Sequence, residues 1–128
     1  MDSGNEDNLH AKISPRTAAA EVAKVLWHLR RILAILVVLF FFLSIAMYYG
    51  GGAVNTVTRT QSSLGETFYF CAVTALTIGY GDVVPTTTLG RIIAVLLAFI
   101  GVLMTGVITG STVYGIQVAA QRAGLRPG

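Results

Sequence analysis

The stretch TALTIGYGDVVP, Thr74 to Pro85, sets Gly79 and Gly81 on either side of Tyr80, with Thr77 ahead of them and Asp82 directly behind. Three chemistries use a glycine pair of this kind: a phosphate-cradling loop, a tight external turn, or a strip of backbone whose carbonyls ligate a cation. A dinucleotide loop needs G-x-G-x-x-G between a strand and a helix, and Val84 stands where the third glycine belongs. A Walker loop needs Gly-Lys-Ser/Thr, and no lysine follows Lys24. An external turn accounts for Gly and Asp but not for the apolar run that leads into them. Backbone carbonyls are hard ligands that can replace the hydration oxygens of a monovalent cation. Glycines at alternate positions free the chain to turn successive carbonyls to one side, and Thr77 adds a hydroxyl at the inner end.

The elements around this strip must hold it at depth in a membrane. The 128-residue chain is 54% hydrophobic and 12% charged, against about 25% charged for an ordinary soluble domain. Ile32 to Tyr49 has no ionisable group apart from its terminal tyrosines, and Ile92 to Val113 carries no formal charge. Each is long enough to cross a hydrocarbon core of about 30 Å. Between them, Gly50 to Gly52 end the first span and residues 55–62 form a polar external loop. Ser63 and Glu66 then have the spacing of a capping box, and Leu64 to Leu76 lacks proline, which predicts a helix of about three turns. That helix is too short to span a bilayer, so it reads as re-entrant. Non-helical backbone at that depth survives only where protein buries it or where it lines a water-filled path.

Charge sets the orientation. Lys12, Arg16, Lys24, Arg30 and Arg31 precede the first span, Arg122 and Arg126 follow the second, and only Arg59 and Arg91 lie between. The positive-inside rule therefore predicts cytoplasmic termini. The net charge of +3 follows from this topology rather than from nucleic-acid binding, since no basic patch interleaved with aromatics occurs. Residues 1–13 are polar and predict no packed core. Ser14-Pro15 reads as an N-cap and first helical position. From there Val22, Val25, Leu26 and Leu29 recur at helical spacing, either in a separate interfacial helix or in a continuation of the first span; Trp27 suits the headgroup level. The late start of the apolar run and the poor cleavage sequence after it predict a retained anchor rather than a signal peptide. His28 has no carboxylate or cysteine partner nearby, and the lone Cys71 cannot form an intrachain disulfide. There is no zincin motif, Cys/His metal set or nucleophile-base cluster, so no enzyme is expected.

The string TIGYGD, Thr77 to Asp82, resembles the signature sequence of potassium channels. The order of span, external loop, pore helix, signature and second span is similar to the two-transmembrane, one-pore-loop members of that superfamily. The resemblance covers Ile32 to about Val118. It implies an all-α membrane protein, a homotetramer in the lipid bilayer around one axis. The corresponding segments are an N-terminal cytoplasmic part (1–31), first span (32–49), external loop (50–62), pore helix (63–76), filter (77–82), second span (91–118) and cytoplasmic tail (119–128). It also implies ion binding along Thr77, Ile78, Gly79, Tyr80 and Gly81. Dehydrated K+ would lie on the carbonyls of Thr77, Ile78, Gly79 and Tyr80 and on the Thr77 hydroxyl. Tyr80 would point away from the pore, near Tyr69 and Phe70. Asp82 would lie just outside the filter, where many relatives pair it with a pore-helix tryptophan and some with a glutamate. This chain has no tryptophan there, and Val73 takes the glutamate's place.

On the second span, Gly101 matches a position that often serves the family as a gating hinge. Gly106 and Gly110 form GxxxG, which also suits close helix packing. Val102, Thr105, Thr109 and Val113 share a face and are candidates for cavity or inner-gate lining. The expected function is passive, selective K+ conduction across a plasma membrane, with no small-molecule substrate and no nucleic acid. The alternatives are a weakly selective cation channel, a pore cut from a larger ligand- or voltage-gated channel, and a non-conducting membrane adaptor assembled through GxxxG. A transporter would call for an inverted repeat or a second broken helix, and neither is visible. No dense arginine repeat marks a voltage sensor, and the fifteen residues after Val113 leave no room for a folded ligand-binding domain.

Overall fold

Helix α1 (Pro15–Gly50) begins the computed structural model, which describes residues 15–124. Ser14, the polar segment 1–13 and Arg126 lie outside the described residues. The described chain divides into two units, one ending at Ile32 and the other starting at Leu33. In the first, the segment that could have been a separate interfacial helix is the unbroken start of α1. Its Glu21–Lys24 pair, 3.8 Å apart with both side chains over 70% exposed, contributes little. His28 Nδ1 lies 3.2 Å from the Lys24 carbonyl oxygen, one turn back.

The second unit holds the rest of α1, a three-residue strand β1 (Ala53–Asn55), helix α2 (Leu64–Ala75), strand β2 (Val83–Pro85) and helix α3 (Thr88–Arg122). Ala19–Gly50 and Thr88–Arg122 have mean hydropathies of 2.6 and 2.7, yet only 17% and 22% of their most apolar windows are buried. Helices so apolar and so exposed are not the core of a water-soluble domain; their surfaces meet lipid or other subunits. The buried cluster instead gathers where three helices meet: Leu43 and Met47 of α1, Phe70 and Cys71 of α2, and Ile93, Leu97 and Ile100 of α3. In a bilayer, turning Leu97 inward rather than toward lipid gains no transfer energy, so close packing must supply the contact energy. Small residues permit it, with Ser44 and Cys71 fully buried.

Two devices fix α2 in place. At its start the capping box closes: Glu66 N–H donates to Ser63 Oγ at 3.2 Å, and Ser63 N–H donates to Glu66 Oε2 at 2.9 Å. Asn55 Nδ2 of β1 donates to the other carboxylate oxygen at 3.2 Å. Ser63 N–H first, then Asn55, hold the Glu66 carboxyl below its ordinary value of 4.5. At its end, α2 runs onto α3 at Gly101, where any Cβ would overlap the Ala75 carbonyl. Gly101 is therefore glycine for a reason of contact, in addition to any freedom to bend.

The outer ends of the two spans are tied together. Thr87 Oγ1 donates to the Gly50 and Gly51 carbonyls at the end of α1, both at 3.0 Å, and accepts from Gly90 N–H at 2.9 Å as the N-cap of α3. One hydroxyl thus serves orphan groups of two helices. Next to it, β1 pairs antiparallel with β2 in the register Ala53↔Pro85, Val54↔Val84, Asn55↔Val83.

Two outcomes follow from these contacts. The stabilisation from Glu66 is present above about pH 4.5 and is lost as pH falls through its lowered folded value. Thermal unfolding of the detergent-solubilised protein from pH 7 to 3 should show a steeper acid loss for wild type than for Glu66→Gln, which keeps the cap without the titration. Gly101→Ala should destabilise the assembled protein by about 3 kcal/mol or more through overpacking against backbone, read as a lower melting temperature; an unchanged value would remove the contact role.

Candidate functional site: an extended strip between α2 and β2

The chain leaves α2 through hydrogen bonds that use the helix's own terminal carbonyls. Leu76 N–H donates to Ala72 O at 2.9 Å and Thr77 N–H to Thr74 O at 3.0 Å. Ile78 N–H and Gly79 N–H both donate to Val73 O, at 2.9 and 3.3 Å. Val73 is itself buried. The residue that stands in the place of a glutamate thus acts through its backbone carbonyl, which accepts from two strip amides and is not left orphaned at the helix end.

Through the strip the backbone changes handedness at every step. Thr77, Gly79 and Gly81 have φ of 59°, 60° and 76°, and among the described residues the only other non-glycine with positive φ is Arg59. Ile78 and Tyr80 therefore alternate with them at negative φ. Such alternation keeps the chain extended while lining up N–H groups on one side and carbonyls on the other. Gly79 and Gly81 tolerate this geometry. Thr77, being β-branched, does not, and a residue so held costs about 1–3 kcal/mol. Strain at the one aliphatic hydroxyl of the strip is the mark of a site maintained by its surroundings. Alternate-glycine spacing hinted at the pattern, but no sequence signal pointed to Thr77 as its third member.

Residues 76–81 are all exposed within their own chain, Tyr80 to 67%. Phe70 faces the core of its own chain, at 8% exposure, so it is Tyr69 that remains on the strip side at 42%. Partial burial first, then a hydrogen bond with the Asp82 carboxylate and that group's charge, raise the Tyr69 phenol above its ordinary value of 10.0. Tyr69 stays protonated at neutral pH with its phenol facing the Asp82 carboxylate. Asp82 Oδ1 also accepts from Val83 N–H at 3.1 Å. The external loop holds the same turn from the other side: Thr56 N–H donates to Asp82 O at 2.8 Å. Neither Thr56 nor Asn55 stood out in the sequence, because a three-residue strand has no readable period and its partner is more than twenty residues away.

Below the strip, Val102, Thr105, Thr109 and Val113 are exposed on α3. The Thr105 hydroxyl donates to Gly101 O at 2.9 Å, and those of Ser111 and Thr112 bond back one turn in the same way. Such back-bonding loosens a helix. Gly106 and Gly110 touch nothing within 4 Å of where a Cβ would stand, so their close-packing surface is open within one chain. An apolar cleft of about 200 Å³ lies between Phe40, Leu76, Gly101, Thr105 and Ile108. Among the described residues no group of three or more acidic, His and Cys side chains could hold a metal ion.

Comparison with known proteins agrees with this architecture. The pore domain of a voltage-gated K+ channel, solved in a closed state in lipid membranes, superposes with a TM-score of 0.58 at 28% identity, over 71% of this chain and 98% of that one. A tetragonal crystal form of such a pore module gives 0.59 at 28% identity, over 72% and 93%. Two pore potassium channel b of Oryza sativa subsp. japonica is 34% identical over 76 residues, 59% of this chain and 22% of that protein. The calcium-gated potassium channel TvoK of Thermoplasma volcanium is 39% identical over 57 residues, 44% and 16%. The chain thus spans about a fifth of the length of the curated relatives it matches. The family model described as "Ion channel" matches residues 32–116, well over half of the chain and the whole helix–loop–strip–helix unit, and this integral membrane protein belongs to that ion-channel family.

Proposed function

We propose that the chain is one subunit of a homotetrameric, potassium-selective pore that passes K+ down its electrochemical gradient. The observation that carries the reading is the alternation of backbone handedness at Thr77, Gly79 and Gly81, in a strip anchored to a re-entrant helix and left open along its length. Four such strips around an axis supply rings of carbonyls at Thr77, Ile78, Gly79 and Tyr80, with Gly81 at the outer end and the Thr77 hydroxyl at the inner, as ligands for dehydrated K+. The matched relatives are named as potassium channels, which supports K+ as the ion. Exposed non-helical backbone cannot persist against lipid, and the open faces at residues 76–81, Val102 and Gly106 supply what neighbouring subunits would cover. Residues on the strip side of one chain, Tyr80 among them, then find their partners across subunit boundaries.

The C-terminal, partly negative end of α2 adjoins the strip and favours a cation beneath it. Basic residues flanking the spans support cytoplasmic termini in a plasma membrane. Bending of α3 is best supported over 105–112, where Gly106, Gly110 and three back-bonded hydroxyls coincide, while Gly101 is held against Ala75.

In liposomes holding the purified protein, K+/Na+ bi-ionic reversal potentials should depart from zero by more than about 59 mV, which marks tenfold selectivity for a monovalent ion. Gly79→Ala, forced into a left-handed conformation that costs a non-glycine about 1–2 kcal/mol, should abolish selective flux. A wild-type reversal potential near zero would sink the selectivity. K+ should also raise the tetramer's melting temperature where equal Na+ does not, since an ion that binds only the assembled filter stabilises it by about 2.7 kcal/mol at a hundred times its dissociation constant.

A further inference from the structure

Thr56 occupies an unusual place. It follows β1 directly, and Asp82 directly precedes β2, so the register that pairs Asn55 with Val83 brings Thr56 opposite Asp82. Its N–H donates to Asp82 O at 2.8 Å. Its hydroxyl lies 3.0 Å from the same oxygen and 3.4 Å from Gly81 O. The external loop carrying it is fixed independently: Asn55 Oδ1 accepts from Val57 N–H at 2.9 Å and Thr58 N–H at 3.2 Å, while Asn55 Nδ2 reaches Glu66 at the start of α2. A path of hydrogen bonds, joined by the Asn55–Thr56 peptide link, therefore runs from the cap of α2 to the last two carbonyls of the strip.

We propose that Thr56 is a positioning residue for the outer end of the filter, its hydroxyl resisting rotation of the Gly81 and Asp82 peptides that close the strip. The proposal rests on the reading of the strip as a K+ filter. The physical need arises from the ions themselves. Four carbonyls converging on an axis repel one another, and a bound cation offsets the repulsion. When external K+ is scarce, the outermost ring loses that offset, and a glycine at φ +76° has little steric barrier to turning. Val83 N–H holds the Asp82 side chain, and Thr56 holds its backbone carbonyl from the loop side. The hydroxyl carries one proton for two acceptors, so it follows the pair through small rotations without letting either carbonyl swing free.

The decisive variant is Thr56→Val, which keeps shape and the N–H bond but loses the hydroxyl, with Thr56→Ser as its control. In planar bilayers at low external K+, the valine variant should lose K+ current about three- to tenfold faster than wild type, the change expected for one hydrogen bond. Raising external K+ should slow that loss, and serine should restore wild-type behaviour. Unchanged decay in Thr56→Val, or a defect that serine does not repair, overturns the proposal. Amide hydrogen exchange on the assembled protein supplies a readout free of conduction. Faster exchange at Tyr80 to Val83 in the valine variant alone supports the clamp, and equal exchange overturns it. If wild type passes no selective K+ current at all, the filter reading fails and the exchange arm still decides whether Thr56 holds the turn.

Discussion

The rest of the structure depends on one constraint: a stretch of chain that is neither helix nor sheet must be kept at membrane depth without leaving its polar backbone in contact with lipid. Val73 O meets the first part of that demand by taking two amides at once, from Ile78 and Gly79. The capping box at the other end of α2 keeps that carbonyl where it is needed, and the close contact of Ala75 with Gly101 seats the helix on α3. What the single chain does not cover is the face on which the carbonyls can converge. Strain at Thr77 and exposure of residues 76–81 are two aspects of that incompleteness: the strip is held from behind and left open in front.

Much of the fold was legible because its signals are local. Two apolar runs, three glycines ending the first, and Ser63 with Glu66 three residues on each report on a few neighbours, and the helices follow them closely. The start of α1 was ambiguous for the same reason: a polar-faced helical pattern leading into an apolar one has no residue that forces a break, and none occurs. The outer sheet escaped notice because its rungs join residues on opposite sides of the pore helix. Thr87 was easier to see in retrospect, a threonine before an apolar run being an ordinary N-cap signal; its second task, on the carbonyls of Gly50 and Gly51, depends wholly on tertiary contact.

The candidate site divides in the same way. The glycine spacing pointed to the strip, while the left-handed Thr77 ran against the preference of a β-branched residue, so local rules argued for the wrong conformation at the position carrying the hydroxyl. Asp82 looked unpartnered because Val73 offers no side-chain donor. Its donor is the backbone, through Val83 N–H, with the phenol of Tyr69 close enough to feel its charge. Gly101 illustrates a different limit: one missing Cβ serves bending and close approach equally, and only the contact with Ala75 separates the two.

The knot at Thr87 has a mechanical meaning. With the first and second spans tied at their loop-side ends, neither can part from the other there without breaking the Thr87 hydroxyl's bonds to the Gly50 and Gly51 carbonyls. The part of α3 beyond Gly101 has no such tether, and from there to Arg122 it extends roughly 30 Å at 1.5 Å per residue. That makes α3 a lever clamped at Gly101 against the pore helix, pivoting over 105–112 and free from there to Arg122. A few degrees of bend there translate into ångströms at the tip, so the far end of α3 can be displaced while the strip stays still.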